Sequence, residues 1–273
     1  MGKIPTLILS KNRASQLRLL LESLYFNATG IFDPYVVWTA TTPDFEKGYE
    51  KLQSENFNVY YFRESCLLQN FYAFLNQFRD GHFALFMDDC IFYKPLRTTP
   101  EELISKMDDE TLCVSLRLGL NTRENTEKPI EAKSEDGDFL KYNFKNYSAV
   151  DNYGVYFSWD GVIYKTQDVL DIFDGDDFTG TSNQWAILPQ KIENFTQNNR
   201  DKCTKDLMCC PKESRVICMN YNSTHPMANF NMSSLEDLNN RYLGGQVIDF
   251  SSINFDGITG THETRPFALR QIT

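Results

Sequence analysis

No run of apolar residues in this 273-residue chain reaches the roughly 20 that a membrane-spanning helix needs. The opening Met1-Gly2-Lys3-Ile4-Pro5 lacks the apolar stretch of a secretory signal, so the expectation is a soluble, cytoplasmic chain without an integral membrane segment. Positive charge is scarce: 27 Lys and Arg stand against 37 Asp and Glu, a net charge of −10. That balance argues against nucleic acid as a partner and against binding to anionic membranes. Glycine is missing between Leu9 and Leu24, which excludes a glycine-rich phosphate loop early in the chain. The seven cysteines do not form the dense framework of a secreted disulfide scaffold, and reduced thiols are expected. Four of them, from Cys203 to Cys218, follow a C-x5-C-C-x7-C spacing that lacks the C-x2-C pairs of a structural zinc knot. Asn-x-Ser/Thr sequons begin at Asn27, Asn146, Asn194, Asn222 and Asn231 but are uninformative in a chain expected to stay unexported.

What is present points to an α/β fold. Hydrophobic residues make up 41% and charged residues 23% of the chain, enough to build a sizeable core. Ile4 to Leu9 is an almost continuous apolar run followed by the polar turn Ser10-Lys11-Asn12-Arg13, as in a strand buried on both faces. Leu17, Leu20, Leu21 and Leu24 then recur at helical spacing and stop before Gly30. Further strands are predicted at 35–39, 58–62 and 82–87, alternating with helices at 45–52 and 66–78. The implied fold is a Rossmann-like, doubly wound, mostly parallel sheet.

Beyond that point the pattern loosens. A short helix is predicted at 101–107, a strand at 112–116, and a charged, mobile loop at 121–138. An extended segment is expected at 155–164, with helices at 166–173, at 182–192 with Pro189 near its end, and at 235–243 behind a Ser233-Ser234 cap. The last twenty-odd residues show no periodicity. No linker divides the chain, so one domain is expected, with residues 1–95 and 96–273 as its halves.

Ligands of an open parallel sheet bind beyond the carboxyl ends of its strands. The strand at 82–87 delivers Asp88-Asp89-Cys90 to that edge. Adjacent carboxylates either coordinate a hard divalent cation on a diphosphate or form a solvated acidic turn.

The segments Ile4 to Arg13 with its Leu-rich helix, Val37-Trp38-Thr39-Ala40 with Phe45 to Leu52 behind it, and Phe86-Met87-Asp88-Asp89-Cys90-Ile91-Phe92 resemble the nucleotide-binding half of GT-A glycosyltransferases of the small bacterial and large-DNA-virus type. The likeness spans roughly the first 170 residues and extends loosely to Ser234–Asn239 and Tyr242–Gly245. It implies a GT-A domain with an irregular acceptor-binding C-terminal part. It further implies transfer of a sugar from a nucleotide-diphosphate donor, UDP-hexose by default, to a saccharide acceptor with Mn²⁺ or Mg²⁺. The family motif is commonly Asp-x-Asp, whereas here the acids are adjacent. Asp89 is then the direct metal ligand and Asp88 a ribose or supporting group, with the division of labour between them open.

Within that reading, Ser10, Asn12 and Arg13 could hold the donor's base or diphosphate, with Arg13 the phosphate contact, or could be an ordinary polar helix start. Arg117, a charge at the end of an apolar strand, is a phosphate or sugar contact or a salt-bridged scaffold residue. Asp160 follows Trp159, an aromatic suited to sugar stacking. It is the candidate base of an inverting transfer, with a turn-forming Asp-Gly as the other reading. The Asp174-Gly175-Asp176-Asp177 cluster reads as a solvated loop, and Trp185 is a second stacking candidate. His225 is the candidate imidazole ligand, with His262 behind it, against a plain surface-loop histidine. A sugar-nucleotidyltransferase or a catalytically silent carbohydrate-binding scaffold are the competing classes.

Overall fold

A computed structural model describes residues 2–173, 188–222 and 233–272. The first half runs β1 (Ile4–Lys11), α1 (Ala14–Asn27), β2 (Phe32–Thr39), α2 (Pro43–Ser54), β3 (Tyr60–Arg63), α3 (Leu67–Gln77), β4 (His82–Met87), β5 (Cys90–Phe92) and α4 (Pro100–Ser105). It continues with β6 (Thr111–Ser115), β7 (Ala132–Asp136), β8 (Phe139–Asn143), β9 (Val162–Lys165), α5 (Thr166–Ile172) and α6 (Leu188–Asn198). The remainder comprises β10 (Leu207–Pro211), β11 (Val216–Met219), α7 (Leu235–Leu243), β12 (Gln246–Ile248), β13 (His262–Glu263) and β14 (Leu269–Gln271).

Nine strands form one mixed sheet in the order β3-β2-β1-β4-β9-β6-β10-β8-β7. The first four are all parallel, as the apolar runs predict. The second half departs from the doubly wound expectation, because β9 lies antiparallel between β4 and β6, and β8 and β7 add further antiparallel pairs. Seven of the nine strands still run the same way, so the sheet is mostly parallel with β9 and β8 reversed, compatible with a Rossmann-like α/β fold. Two-sided burial explains the continuous hydrophobicity of its central strands. Leu7, Leu9, Val37, Phe83 and Leu85 pack with Phe71, Leu75, Val169 and Ile192 from α3, α5 and α6 on one face. Their alternates Ile8, Val36, Ala84 and Phe86 pack with Leu17, Leu20, Leu21, Leu52, Leu103 and Tyr242 from α1, α2, α4 and α7 on the other. Thr42 caps α2 ahead of Pro43, and Ser234 accepts from the Asp237 amide at 2.9 Å to cap α7.

A second sheet, β13-β11-β5, covers the far side of α1. The expected mobile loop at 121–138 instead contains β7, an exposed edge strand paired with β8. Pro189 sits in the first turn of α6, where a missing amide proton is harmless, rather than near the end of a helix. Residues 182–187 of that predicted helix lie outside the described residues. Among the described residues, no helix is long and apolar enough to cross a membrane.

Candidate functional site

The topology brings chemistry-bearing residues to one edge. β1, β4 and β6 all run the same way, so the turn after Lys11, the pair Asp88-Asp89 and the residue Arg117 emerge at their shared carboxyl end. β9 runs against them and begins there: Val162 pairs with Leu85, and the Gly161 amide donates to the Leu85 carbonyl at 2.8 Å. The residue before it, Asp160, is thereby delivered to the same edge. Gly161 holds a φ of +71°, and a Cβ there would come within 3.0 Å of Val216. Gly161→Ala is expected to lower stability by about 1–3 kcal/mol, read as a lower denaturant midpoint, because it adds a strained left-handed residue to a crowded one.

Asp88 is a structural carboxylate. Its side chain is 2% exposed, and both oxygens are taken: Oδ2 accepts from Ser10 Oγ at 2.9 Å and the Lys11 amide at 3.1 Å, and Oδ1 from Arg13 Nη1 at 3.0 Å. The side chains expected to contact a donor are used here to shape the turn. Ser10 also bonds the Tyr49 hydroxyl at 2.6 Å, and that hydroxyl accepts from the Arg13 amide at 3.1 Å. Asn12, at a φ of +59°, exchanges hydrogen bonds with Thr41 at the end of β2. Arg13 is buried, and its guanidinium binds Asp88, Asp89 and Asn222, so it braces the acids rather than facing outward. Burial works against its charge, but the two aspartates more than offset this and hold its pKa above the ordinary arginine value. Burial likewise pushes Asp88 up to about 6, an effect that Arg13 only partly opposes.

Asp89 faces a different neighbourhood. Its oxygen, the Asp160 oxygen and the Cys90 and Cys218 sulfurs lie within 4.8 Å of one another. Asp160 receives His262 Nε2 at 3.4 Å and Arg117 Nη1 at 3.5 Å. Burial alone would raise the Asp160 pKa, yet His262 and Arg117 outweigh it and keep the carboxylate ionised. Burial lowers the His262 pKa, but Cys218 first and then Asp160 outweigh it and hold it above the ordinary histidine value. Arg117 is 5% exposed and its Nε has no partner among the described residues, a buried donor still free for an anion.

One expectation fails on geometry. Trp159 is 2% exposed, packed against Phe71 and Phe157 with its indole nitrogen 3.3 Å from the Pro189 carbonyl, and offers no face to a sugar. Asp160, the candidate base, stands beside Asp89. His225, Trp185 and the Asp174–Asp177 cluster lie outside the described residues.

The site also holds Glu193 and Cys218, which the sequence pattern does not single out, and His262, the second imidazole candidate. Glu193 of α6 has its carboxyl pushed up to about 7, first by burial and then by the nearby charge of Asp160. Cys90, Cys218 and His262 align across the small sheet, since Cys218 pairs with Cys90 on one side and with His262 on the other. Asp89 and Asp160 with the Cys90 and Cys218 sulfurs make a donor set that fits a divalent cation, and His262 stands against Asp160 beside it. Compared with known protein families and with curated proteins, the chain matches none.

Proposed function

We propose that this protein is a metal-dependent glycosyltransferase of the GT-A kind, transferring a sugar from a nucleotide-diphosphate donor, UDP-hexose in the first instance, to a saccharide acceptor. The observation that carries the reading is the convergence of Asp89 and Asp160, with His262 against Asp160, at the carboxyl edge, next to β4, where parallel order gives way to the reversed strand β9. Such an edge is where open α/β sheets bind nucleotides.

Asp89 and Asp160 would hold the cation, which when bound neutralises charge developing on the departing diphosphate. Arg13 keeps the two adjacent aspartates from repelling each other, so Asp89 is preset in position. The unpartnered Nε of Arg117 supplies a donor for a phosphate or sugar oxygen. Asp160 is the candidate base for the acceptor hydroxyl's proton, and Glu193, whose carboxyl is pushed by burial up to about 7, is a second candidate, since a base works best when its pKa lies near the operating pH. A carboxylate base of this type favours inversion at the anomeric carbon. The turn Ser10–Arg13 has no glycine and its donors are spent internally, which speaks against nucleotidyl transfer.

The test is release of free nucleotide diphosphate from a panel of sugar nucleotides, with and without divalent cation. Slow, cation-dependent hydrolysis of at least one donor is expected. A panel with no turnover and no cation-dependent binding would indicate a silent scaffold.

A further inference from the structure

The two thiols at the site have no part in the reading above. Cys90 and Cys218 are each fully buried, directly opposite in the β5/β11 ladder, with sulfurs 3.4 Å apart. The flanking ladder bonds, Met219 amide to Asp89 carbonyl at 2.8 Å and Tyr93 amide to Arg215 carbonyl at 3.1 Å, make Cys218/Cys90 the non-hydrogen-bonded pair between them. Side chains at such pairs approach most closely, and both sulfurs lie on the side that carries the Asp89 and Asp160 oxygens. On the other flank of Cys218, His262 is its direct partner in β13.

We propose that Cys90, Cys218, Asp89 and Asp160, with His262 at the rim, form a mixed thiolate and carboxylate site whose preferred occupant is a borderline-soft divalent cation of the Zn²⁺ class rather than Mg²⁺. Zinc bonds to sulfur at about 2.3 Å, so two sulfurs in tetrahedral coordination stand about 3.8 Å apart. The observed 3.4 Å is within a small side-chain adjustment of that value. Carboxylate oxygens bind zinc at about 2.0–2.2 Å, and a spread of 4.8 Å among all four donor atoms needs only a modest contraction around an ion. Magnesium demands an octahedron of oxygens and gains nothing from sulfur, so a hard-cation reading leaves both thiols unexplained. On binding, the two thiols release their protons to solvent and the ion offsets the adjacent carboxylates. This inference depends on the transferase reading for what the cation does, not for its binding.

The experiment uses the whole chain, stripped with a chelator and titrated with Co²⁺ as a spectroscopic stand-in for zinc. About one equivalent should bind with a near-ultraviolet thiolate-to-cobalt charge-transfer band, and Zn²⁺ should displace it. The band should weaken in Cys218→Ser and vanish in the Cys90→Ser/Cys218→Ser double variant, with Zn²⁺ affinity falling at least the 10–100-fold typical of losing even an outer partner. In the unsubstituted protein, Zn²⁺ but not Mg²⁺ should protect both cysteines from alkylation, a readout independent of whether the variants fold. Cobalt binding without the band, equal protection by Mg²⁺, or a Cys90–Cys218 disulfide in place of metal uptake would overturn the proposal. Retained cation-dependent nucleotide affinity in those cases would leave the transferase reading intact. A thiolate site with no nucleotide affinity would do the reverse.

Discussion

With Glu193 as the base, Glu193→Gln is expected to cut sugar transfer by about 10²- to 10⁴-fold, the range for loss of a general base, while nucleotide affinity stays within twofold of normal. The amide keeps the shape of the carboxyl but cannot accept the acceptor's proton. The unsubstituted enzyme should also lose rate as pH falls through about 7, roughly tenfold per unit below it, because protonation of Glu193 removes the base. That acid limb should disappear in the variant's residual activity. Asp160→Asn should behave differently. On the proposed reading Asp160 helps Asp89 hold the cation, so its loss should first weaken cation affinity, and raising the cation concentration should restore part of the rate. If Asp160→Asn abolishes the acid limb and Glu193→Gln does not, Asp160 rather than Glu193 is the base.

Arg13→Ala should be the most destabilising single change at the site. Arg13 and Asp88 are both buried, and removing one member of a buried pair leaves an uncompensated charge, typically costing about 3–5 kcal/mol. Ser10 and the Lys11 amide remain as donors to Asp88 and place the expected value at the lower end of that range. The sign of the pH dependence is fixed by linkage. Without Arg13 the folded-state pKa of Asp88 moves further above its unfolded value, so the folded form binds the extra proton. The variant's stability should be greatest below the unfolded pKa and should fall as pH rises through the folded one. Denaturant unfolding at pH 5 and pH 8 should therefore show the larger deficit at pH 8. Adding Asp88→Asn should recover part of the loss, a coupling that a mere packing role for Arg13 does not predict.

How far residues alone reveal this molecule depends on the kind of signal each part carries. The β1-α1-β2-α2-β3-α3-β4 succession is legible because its core strands are buried on both faces and its helices bury one stripe, patterns set by period and reinforced by caps such as Thr42 and Ser234. The Asp88-Asp89 edge is legible for the same reason, since it follows a strand that is apolar on both faces. The reversed insertion of β9 is not, because four residues that pair antiparallel look the same as four that pair parallel. β7 is hidden in a charged stretch because an edge strand with every residue exposed has no buried face to alternate. Arg13, a phosphate contact or an ordinary polar helix start by sequence, pairs with the buried Asp88, a partner that lies 75 residues away and that local pattern cannot show. Trp159 illustrates the converse: an aromatic beside a candidate acid belongs to the core when Phe71 and Phe157 close over it. Cys90, Cys218 and His262 meet only through the lateral pairing of β5, β11 and β13, which are two to four residues long and leave no periodic trace.

The most direct measurement is calorimetric titration of UDP into the chelator-stripped protein, repeated with saturating Mn²⁺ or Zn²⁺, for the unsubstituted chain and for Asp89→Ala. Added cation should tighten UDP binding by about 100-fold or more in the unsubstituted chain, equivalent to roughly 2.7 kcal/mol. In Asp89→Ala the titrations should be equally weak with and without metal. Nucleotide affinity indifferent to cation, or an unaltered cation effect once Asp89 is gone, would contradict the assignment of this edge as a diphosphate site.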